Sequence, residues 1–325
     1  MRAIPVAIKW HPALSIYAAE SFLRAVGDEY GWLGGIDDSG QLRCVLPYTV
    51  IRKATLRMVR FRVETIPLGG ERLGVDEERS FLNDVVQYFR SSGADMIIPA
   101  TTNTIFRTHP DGALVAPYGS YIIDLTESEN TLWKNLQSKH RNVIRNAMKK
   151  GVEVRTGPQH LETAYDLVTQ TLKRSRLGFM APGEFNRLIT GLDAHVKIFV
   201  ADYQGVVQGC AIVPFSDHSA YYLYGGSIPE PVTGAMNLLH WRAMLEFREL
   251  GVKRYDFVGT RINPPKGSKQ DGLMMFKQRF GGQLVQGYIW KYHLRSMKSL
   301  VYSVGVRLLR GGDIVDQERH KLAGV

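Results

Sequence analysis

Cysteine is almost missing: Cys44 and Cys210 are the two in 325 residues, and both sit inside apolar runs. That excludes a disulfide framework and a cysteine-built metal cluster. The nine histidines lack ligand spacing too, so no metal and no cofactor is expected. Long apolar runs are also missing. None approaches the roughly 18 residues needed to span a bilayer, and MRAIPVAIKWHP at the N-terminus has no apolar core of signal-peptide length. A cytoplasmic chain without a transmembrane segment is the expectation. Acidic residues are the scarcer charge, 31 against 41 Lys and Arg, which leaves a formal charge of +10. Such an excess favours polyanionic partners, whether RNA, nucleotide phosphates or an anionic membrane face. With 44% hydrophobic and 22% charged residues, the composition is that of an ordinary globular protein with room for two cores.

Two strand-turn-strand units stand far apart in the chain. WLGGIDDSGQLRCVLPYTV carries apolar runs on both sides of Asp-Asp-Ser-Gly, and KIFVADYQGVVQGCAIVPF does the same around Asp202 to Gly205. Cys44 to Pro47 of the first is echoed by Cys210 to Pro214 of the second, give or take a residue. A second pair follows in the same order. Phe89, Arg90 and Gly93 end one helical pattern before an apolar strand, and Phe247, Arg248 and Gly251 end another. Matching elements in matching order predict a duplicated α/β unit, each half a mixed sheet with helices against it.

Between the halves, TESENTLWKNLQSKHRNVIRNAMKKGVEV reads as one helix. Thr126 or Ser128 caps it, and Lys149, Lys150 and Gly151 suit its end. Leu132, Leu136, Val143 and Ala147 share one face; Lys134, Arg141, Arg145 and Lys149 share another. Further basic clusters at Lys173, Arg174 and Arg176 and at Arg261, Lys266 and Lys269 favour a phosphate-binding surface.

A different question attaches to LMMFKQRFGGQ, where Lys277 stands in an apolar stretch with Phe276 and Phe280. Burying an ammonium costs several kcal/mol unless it is paired. Lys277 is therefore either a snorkelling surface residue or a charge kept for use. Asp256 closes a predicted strand in RYDFVGT, a usual place for site residues in open α/β sheets. It either positions an attacking amine or pairs with a basic neighbour. Tyr224 and Ser227 in YYLYGGS also fall at a strand end, where Gly225 and Gly226 permit close backbone approach to a ligand. Tyr224 reads equally well as core. No Ser/His/Asp or Cys/His constellation is present, which leaves proton transfer to substrate groups and water.

The ordered set LWKNLQSKHRNVIRNAMKKGVEV, TLKRSRLGF, YYLYGGS, LLHWRAMLEFRELGVKRYDFVGT and LMMFKQRFGGQLVQGYIW resembles the FemAB family of aminoacyl-tRNA-dependent peptidyltransferases, and covers most of residues 131 to 290. The resemblance implies an α/β fold of two tandem GNAT-like domains, residues 1–150 with the basic helix and 151–325 with the Phe-Lys motif. It implies a reaction in which an amine of a peptide acceptor, most often a peptidoglycan precursor, attacks the ester of an aminoacyl-tRNA. By the same resemblance Phe276 and Lys277 lie at the catalytic centre, with Lys277 holding charge on the carbonyl oxygen and Phe276 stacking on the terminal adenosine. Arg176, in Arg-x-Gly-Phe, resembles a position that holds phosphates of a nucleotide-linked acceptor. Larger members carry a long charged helical hairpin in the second half; no such coiled-coil insertion is legible here. Lys53, Arg57 and Arg72 are candidate acceptor contacts in the loosely matching first half.

Two other readings stay open. A GNAT-like half suits an acyl-CoA-dependent N-acyltransferase, although IPEPVTGAMN breaks the Gly-rich pyrophosphate loop that chemistry needs; a natural-product amine or peptide is another acceptor. The C-terminal HLRSMKSLVYSVGVRLLRGG places Leu294, Met297, Val301, Val304 and Leu308 on one face, flanked by Arg295, Lys298, Arg307 and Arg310. Such segments pack on their own domain or touch the inner membrane face.

Overall fold

The computed structural model describes residues 1–70, 72–295, 298–299, 302–306 and 311–322. Strand β1 (Arg2–Val6) and helix α1 (Glu20–Val26) precede an antiparallel meander of β2 (Glu29–Ile36), β3 (Leu42–Lys53) and β4 (Leu56–Phe61), with β5 (Ile66–Pro67) beside β3. Helix α2 (Val75–Ser91), β6 (Met96–Ile97) and the long β7 (Leu114–Asp124) complete the first run. Then come α3 (Glu129–Asn135), α4 (Ser138–Lys150), β8 (Glu153–Thr156), α5 (Leu161–Arg174), α6 (Pro182–Leu192), β9 (Val196–Tyr203) and β10 (Val206–Pro214). The remainder is β11 (Ala220–Tyr221), β12 (Tyr224–Ser227), α7 (Ala235–Glu249), β13 (Arg254–Asp256), α8 (Lys269–Gln278), β14 (Gln283–His293) and α9 (Ile314–Leu322).

The repeated units take the same form in space. β2 and β3 make one antiparallel hairpin and β9 and β10 the other. Asp37 ties the first turn by accepting from Ser39 N and Gln41 N, each at 2.9 Å, and Asp202 ties the second by accepting from Gly205 N at 3.0 Å. Cys44 and Cys210 occupy the second strand of each hairpin and are fully buried. Further on, α2 gives way through Gly93 to β6, and α7 through Gly251 to β13. Both glycines have left-handed φ, 81° and 78°, which lets each helix end and the chain reverse into a strand.

The larger sheet runs β1-β2-β3-β4-β6-β14-β7-β13-β11 and is mixed, because β4 with β6 and β11 with β13 are parallel pairs. The smaller sheet, β12-β10-β9-β8, is antiparallel throughout. One parallel pair falls in each half of the chain, β4 with β6 in the first and β11 with β13 in the second, as the mixed pairing expected of each half requires. Strand β14 bridges its regions: residues Gln283 to Lys291 pair with β7, and Tyr292 and His293 pair with β6.

Two aromatic-rich cores hold the layers. Phe81, Phe89, Phe61, Phe106 and Trp290 pack α2 against β4 and β14. Phe247, Tyr255, Phe257 and Phe280 pack α7 against β13 and the region of α8. Each such side chain contributes roughly 1.5–3 kcal/mol on burial. Among the described residues no helix is long and apolar enough to cross a membrane.

The helix expected from 126 to 150 is two helices. Ser128 caps α3, its Oγ accepting from Thr131 N at 3.1 Å, and Gly151 ends α4 with φ 86°. Between them Leu136 is extended (φ −57°, ψ 136°) and buried, while Gln137 N donates to Arg279 O at 2.9 Å. A tertiary hydrogen bond and one buried leucine outweigh helical continuity here. Of the C-terminal stripe, Met297, Val301, Arg307, Leu308 and Arg310 lie outside the described residues; Leu294 packs on the first core and Val304 is exposed.

Candidate active site

The stretch YYLYGGS changes partners half-way. β11 pairs with β13, Tyr221 opposite Asp256, whereas β12 pairs with β10, Tyr224 opposite Ile212. Tyr222 N still donates to Asp256 O at 2.8 Å, but Leu223 N donates to Ile212 O at 3.1 Å. The two sheets therefore part between these residues. Asp256 ends β13 at that fork, as the sequence places it.

Its carboxylate is buried, with Oδ1 accepting from Ser120 Oγ on β7 and from Val258 N at 2.8 Å. Burial raises Asp256 to about 6, against the opposing pull of these two hydrogen bonds and of the Lys277 and Arg254 charges. Lys277 arrives from the last turn of α8, a helix started by Ser268, whose Oγ accepts from Asp271 N at 3.1 Å. The ammonium does not snorkel. Nζ donates to Val258 O and, at 2.6 Å, to Gly259 O. Those carbonyls present themselves because Val258 and Gly259 both have positive φ, 33° and 53°. For a β-branched residue this is a strained conformation, held by the surrounding packing. Burial lowers Lys277 to about 8, and the Asp256 charge works in the other direction. At neutral pH the fork thus holds an ammonium and a carboxylate, each titrating closer to neutrality than it would in water.

Phe276 is half-buried among His140, His240 and Phe280, with ring centroids 5.5, 5.6 and 5.2 Å away. The Nε2 of His140 lies 3.1 Å from Phe276 O and must donate to it, since a carbonyl only accepts. Burial lowers His140 to about 4, so this bond from α4 to α8 is made by a neutral ring. His240 is fully buried, with Nδ1 2.9 Å from the Tyr255 hydroxyl.

The other expected residues are spread around the fork. Tyr224 lines a cavity of about 770 Å³ whose walls also include Tyr17, Arg60, Arg62, Met180 and Arg187. Ser227, at the far end of β12, faces α5: its backbone N donates to Thr171 Oγ1 at 3.0 Å and its carbonyl accepts from the Arg174 guanidinium at 2.5 Å. Arg176 is exposed on the turn after α5 with φ 56°. Arg145 and Lys149 are exposed on α4, the former 5.3 Å from the Trp133 ring centroid. Arg141 instead closes α3 by donating to the carbonyls of Lys134, at 2.9 Å, and Leu136. Arg57 is tied to Glu29 at 2.7 Å.

One expectation is corrected. Gly225 and Gly226 do not open the backbone to a ligand; they admit protein. A Cβ on Gly226 would stand 2.4 Å from the backbone of Leu167 in α5, and one on Gly225 would strike the Tyr222 hydroxyl. Sequence reading also missed Ser120, His140, Arg60 and Arg62. For the arginines a signal existed: in RMVRFRV two cations alternate with buried Val59, Phe61 and Val63, the spacing of one face of a strand.

The fold and this fork define a GNAT-like scaffold, and residues 138–270 match the family described as Acetyltransferase (GNAT) domain. A Lipid II:glycine glycyltransferase from Staphylococcus saprophyticus subsp. saprophyticus is 35% identical over 94 residues, 29% of this chain and 23% of that protein. Its counterpart from Staphylococcus haemolyticus is 38% identical over 81 residues, 25% of this chain and 19% of that protein. The matches thus span less than a quarter of the length of these relatives. In structure, the chain is similar to the crystal structure of FemX, with a TM-score of 0.61, 14% identity, and 90% and 93% of the two chains covered. It is also similar to the structure of L-PGS from Bacillus licheniformis, with a TM-score of 0.50, 12% identity, and 90% and 92% of the two chains covered. The likeness to FemX carries the fold, and with the glycyltransferase matches it bears out the FemAB resemblance read from the sequence.

Proposed function

We propose that the chain is an aminoacyltransferase that moves an amino acid from aminoacyl-tRNA to an amine of a peptide acceptor, a peptidoglycan precursor. The observation that carries this reading is the inward ammonium of Lys277, held at the sheet fork beside Asp256 by two carbonyls. Attack of the acceptor amine on the ester carbonyl forms a C–N bond and puts negative charge on the carbonyl oxygen. A cation already fixed there stabilises that charge without reorganisation. Collapse breaks the C–O bond to the ribose, whose oxygen takes the proton the amine gives up. Asp256 orients the incoming ammonium and relays its proton. Phe276 offers the exposed part of its ring to the terminal adenosine.

Around this centre, residues 1–150 contribute acceptor contacts and, through Arg145 and Lys149 of α4, tRNA phosphate contacts; residues 151–325 carry the chemistry. Arg176 and Tyr224 face acceptor groups. The reaction takes place in the cytoplasm, at the inner face of the membrane where the acceptor is lipid-linked. An acyl-CoA donor is disfavoured by one observation: a Cβ on Gly234, the cap of α7, would lie 2.2 Å from Val143 O, so α4 crowds the turn where a pyrophosphate would dock. The test is incubation with a mixture of charged tRNAs and cell-wall precursors, read by mass spectrometry. Residue-sized gains on the precursor support the proposal. Micromolar binding of acetyl-CoA by titration calorimetry, with no such gains, overturns it.

A further inference from the structure

The cavity beside Tyr224 holds an imbalance of charge. Five arginines line it, Arg24, Arg52, Arg60, Arg62 and Arg187, against two carboxylates, Asp28 and Glu184. Arg24 is engaged by Glu20, and Arg52 by Glu29 at 2.6 Å. Arg62 is buried and, among the described residues, donates only to neutral groups, Thr49 Oγ1 at 2.9 Å and Val26 O at 2.7 Å. Arg60 is more exceptional. Its Nε is buried with no hydrogen-bond partner, and among the described residues its guanidinium makes no ion pair. A carboxylate whose charge acts on it through space, Asp313, is committed to Lys291 at 2.7 Å.

Two neighbouring cations two residues apart on one strand repel each other and lose hydration, so without a counter-ion they weaken the fold. Burial accordingly lowers Arg62 to about 9, which leaves it charged at neutral pH, and lowers Arg60 as well. Planar forks of this kind fit oxyanions. Three arginines, Arg60, Arg62 and Arg187, that have no carboxylate partner among the described residues call for more than the single charge of a carboxylate, and a cavity of about 770 Å³ admits a group the size of a nucleoside diphosphate.

We propose that Arg60 and Arg62 form the floor of an anion site that takes a phosphoryl group of the acceptor, with Arg187 at its rim. The site rests on the acceptor reading above and extends it, because it assigns recognition of the acceptor's phosphate to β4 of the first half rather than to Arg176 alone. The phosphate has two sources, a nucleotide-linked or a lipid-linked diphosphate.

The test uses the full chain and reads binding without aminoacyl-tRNA. Calorimetry and thermal unfolding are run with inorganic pyrophosphate, UDP and farnesyl diphosphate at matched ionic strength. Wild type is expected to bind and to unfold at higher temperature with pyrophosphate; preference for UDP or for farnesyl diphosphate identifies the source. Arg60→Met is expected to unfold at higher temperature than wild type without ligand, and to weaken pyrophosphate binding by at least about tenfold. Arg60→Lys keeps the charge and is expected to retain part of the response. Failure of all three ligands to bind overturns the proposal, as does an Arg60→Met chain that binds pyrophosphate like wild type or unfolds at lower temperature without ligand. Either negative result leaves the transfer chemistry of Lys277 standing.

Discussion

Replacing Lys277 with methionine separates catalysis from stability, and the structure says by how much. Two terms act on the fold in opposite directions. The fall of the ammonium from 10.5 to about 8 corresponds to about 3 kcal/mol of burial cost, which the substitution removes. Against this, Val258 O and Gly259 O lose their donor, at about 1–3 kcal/mol each where water cannot replace it. The methionine chain keeps the alkyl packing, so the net change in stability is expected to lie between a gain of about 1 and a loss of about 3 kcal/mol. Catalysis has no such compensation. Loss of one fixed donor to a developing oxyanion costs about 10²–10³-fold in rate. The assay is single-turnover transfer by purified protein, with thermal unfolding measured in parallel. Lys277→Arg preserves charge in a different shape and is expected to fall between the two. A Lys277→Met chain that is folded and slowed by less than about tenfold refutes the reasoning.

Transfer rate is expected to follow a bell in pH, rising as Asp256 ionises near about 6 and falling as Lys277 deprotonates near about 8; Lys277→Arg removes the alkaline limb, and a limb that persists in that variant contradicts the assignment. Asp256→Asn is expected to lose transfer yet gain up to about 3 kcal/mol of stability at neutral pH, because the folded carboxyl titrates at about 6 against 3.8 for an ordinary one. Its burial penalty is absent below 3.8, grows as pH rises and is complete above about 6, so denaturant titrations at acid pH should show no gain. Gly281→Ala is expected to destabilise by at least about 1–3 kcal/mol, since Gly281 has φ 83° and a Cβ would stand 2.4 Å from Asn135 O; an unchanged urea midpoint would deny that strain. The double change Arg145→Gln with Lys149→Gln is expected to weaken tRNA binding and reduce its salt slope by about 1.5, measured by filter binding between low and physiological salt; equal slopes rule those two residues out as phosphate contacts.

The duplication was legible because its signals are local. Asp-based turns between apolar runs and a helix stopped by glycine before a strand need no knowledge of the rest of the chain, and they placed β2, β3, β9, β10, α2 and α7 correctly. The break between α3 and α4 was not legible, since it depends on Gln137 reaching a carbonyl of Arg279, more than a hundred residues away. The same limit applies to the fork. Phe276, Lys277 and Asp256 were picked out as candidates, but the carbonyls that receive Lys277 are set by the positive φ of Val258 and Gly259, and no residue type at 258 advertises that conformation. Gly225 and Gly226 show the opposite case. Their small size was visible, but what they make room for, Tyr222 and the backbone of α5, is a fact of packing.

Strand β14 fills the gap between β6 and β7, and that position sets a timetable for synthesis. Until residue 293 has left the ribosome, two strands made roughly 160 to 200 residues earlier keep bare hydrogen-bonding edges. A nascent chain in that condition is open to strand exchange with its neighbours, so slow translation of the second half exposes it to aggregation for longer.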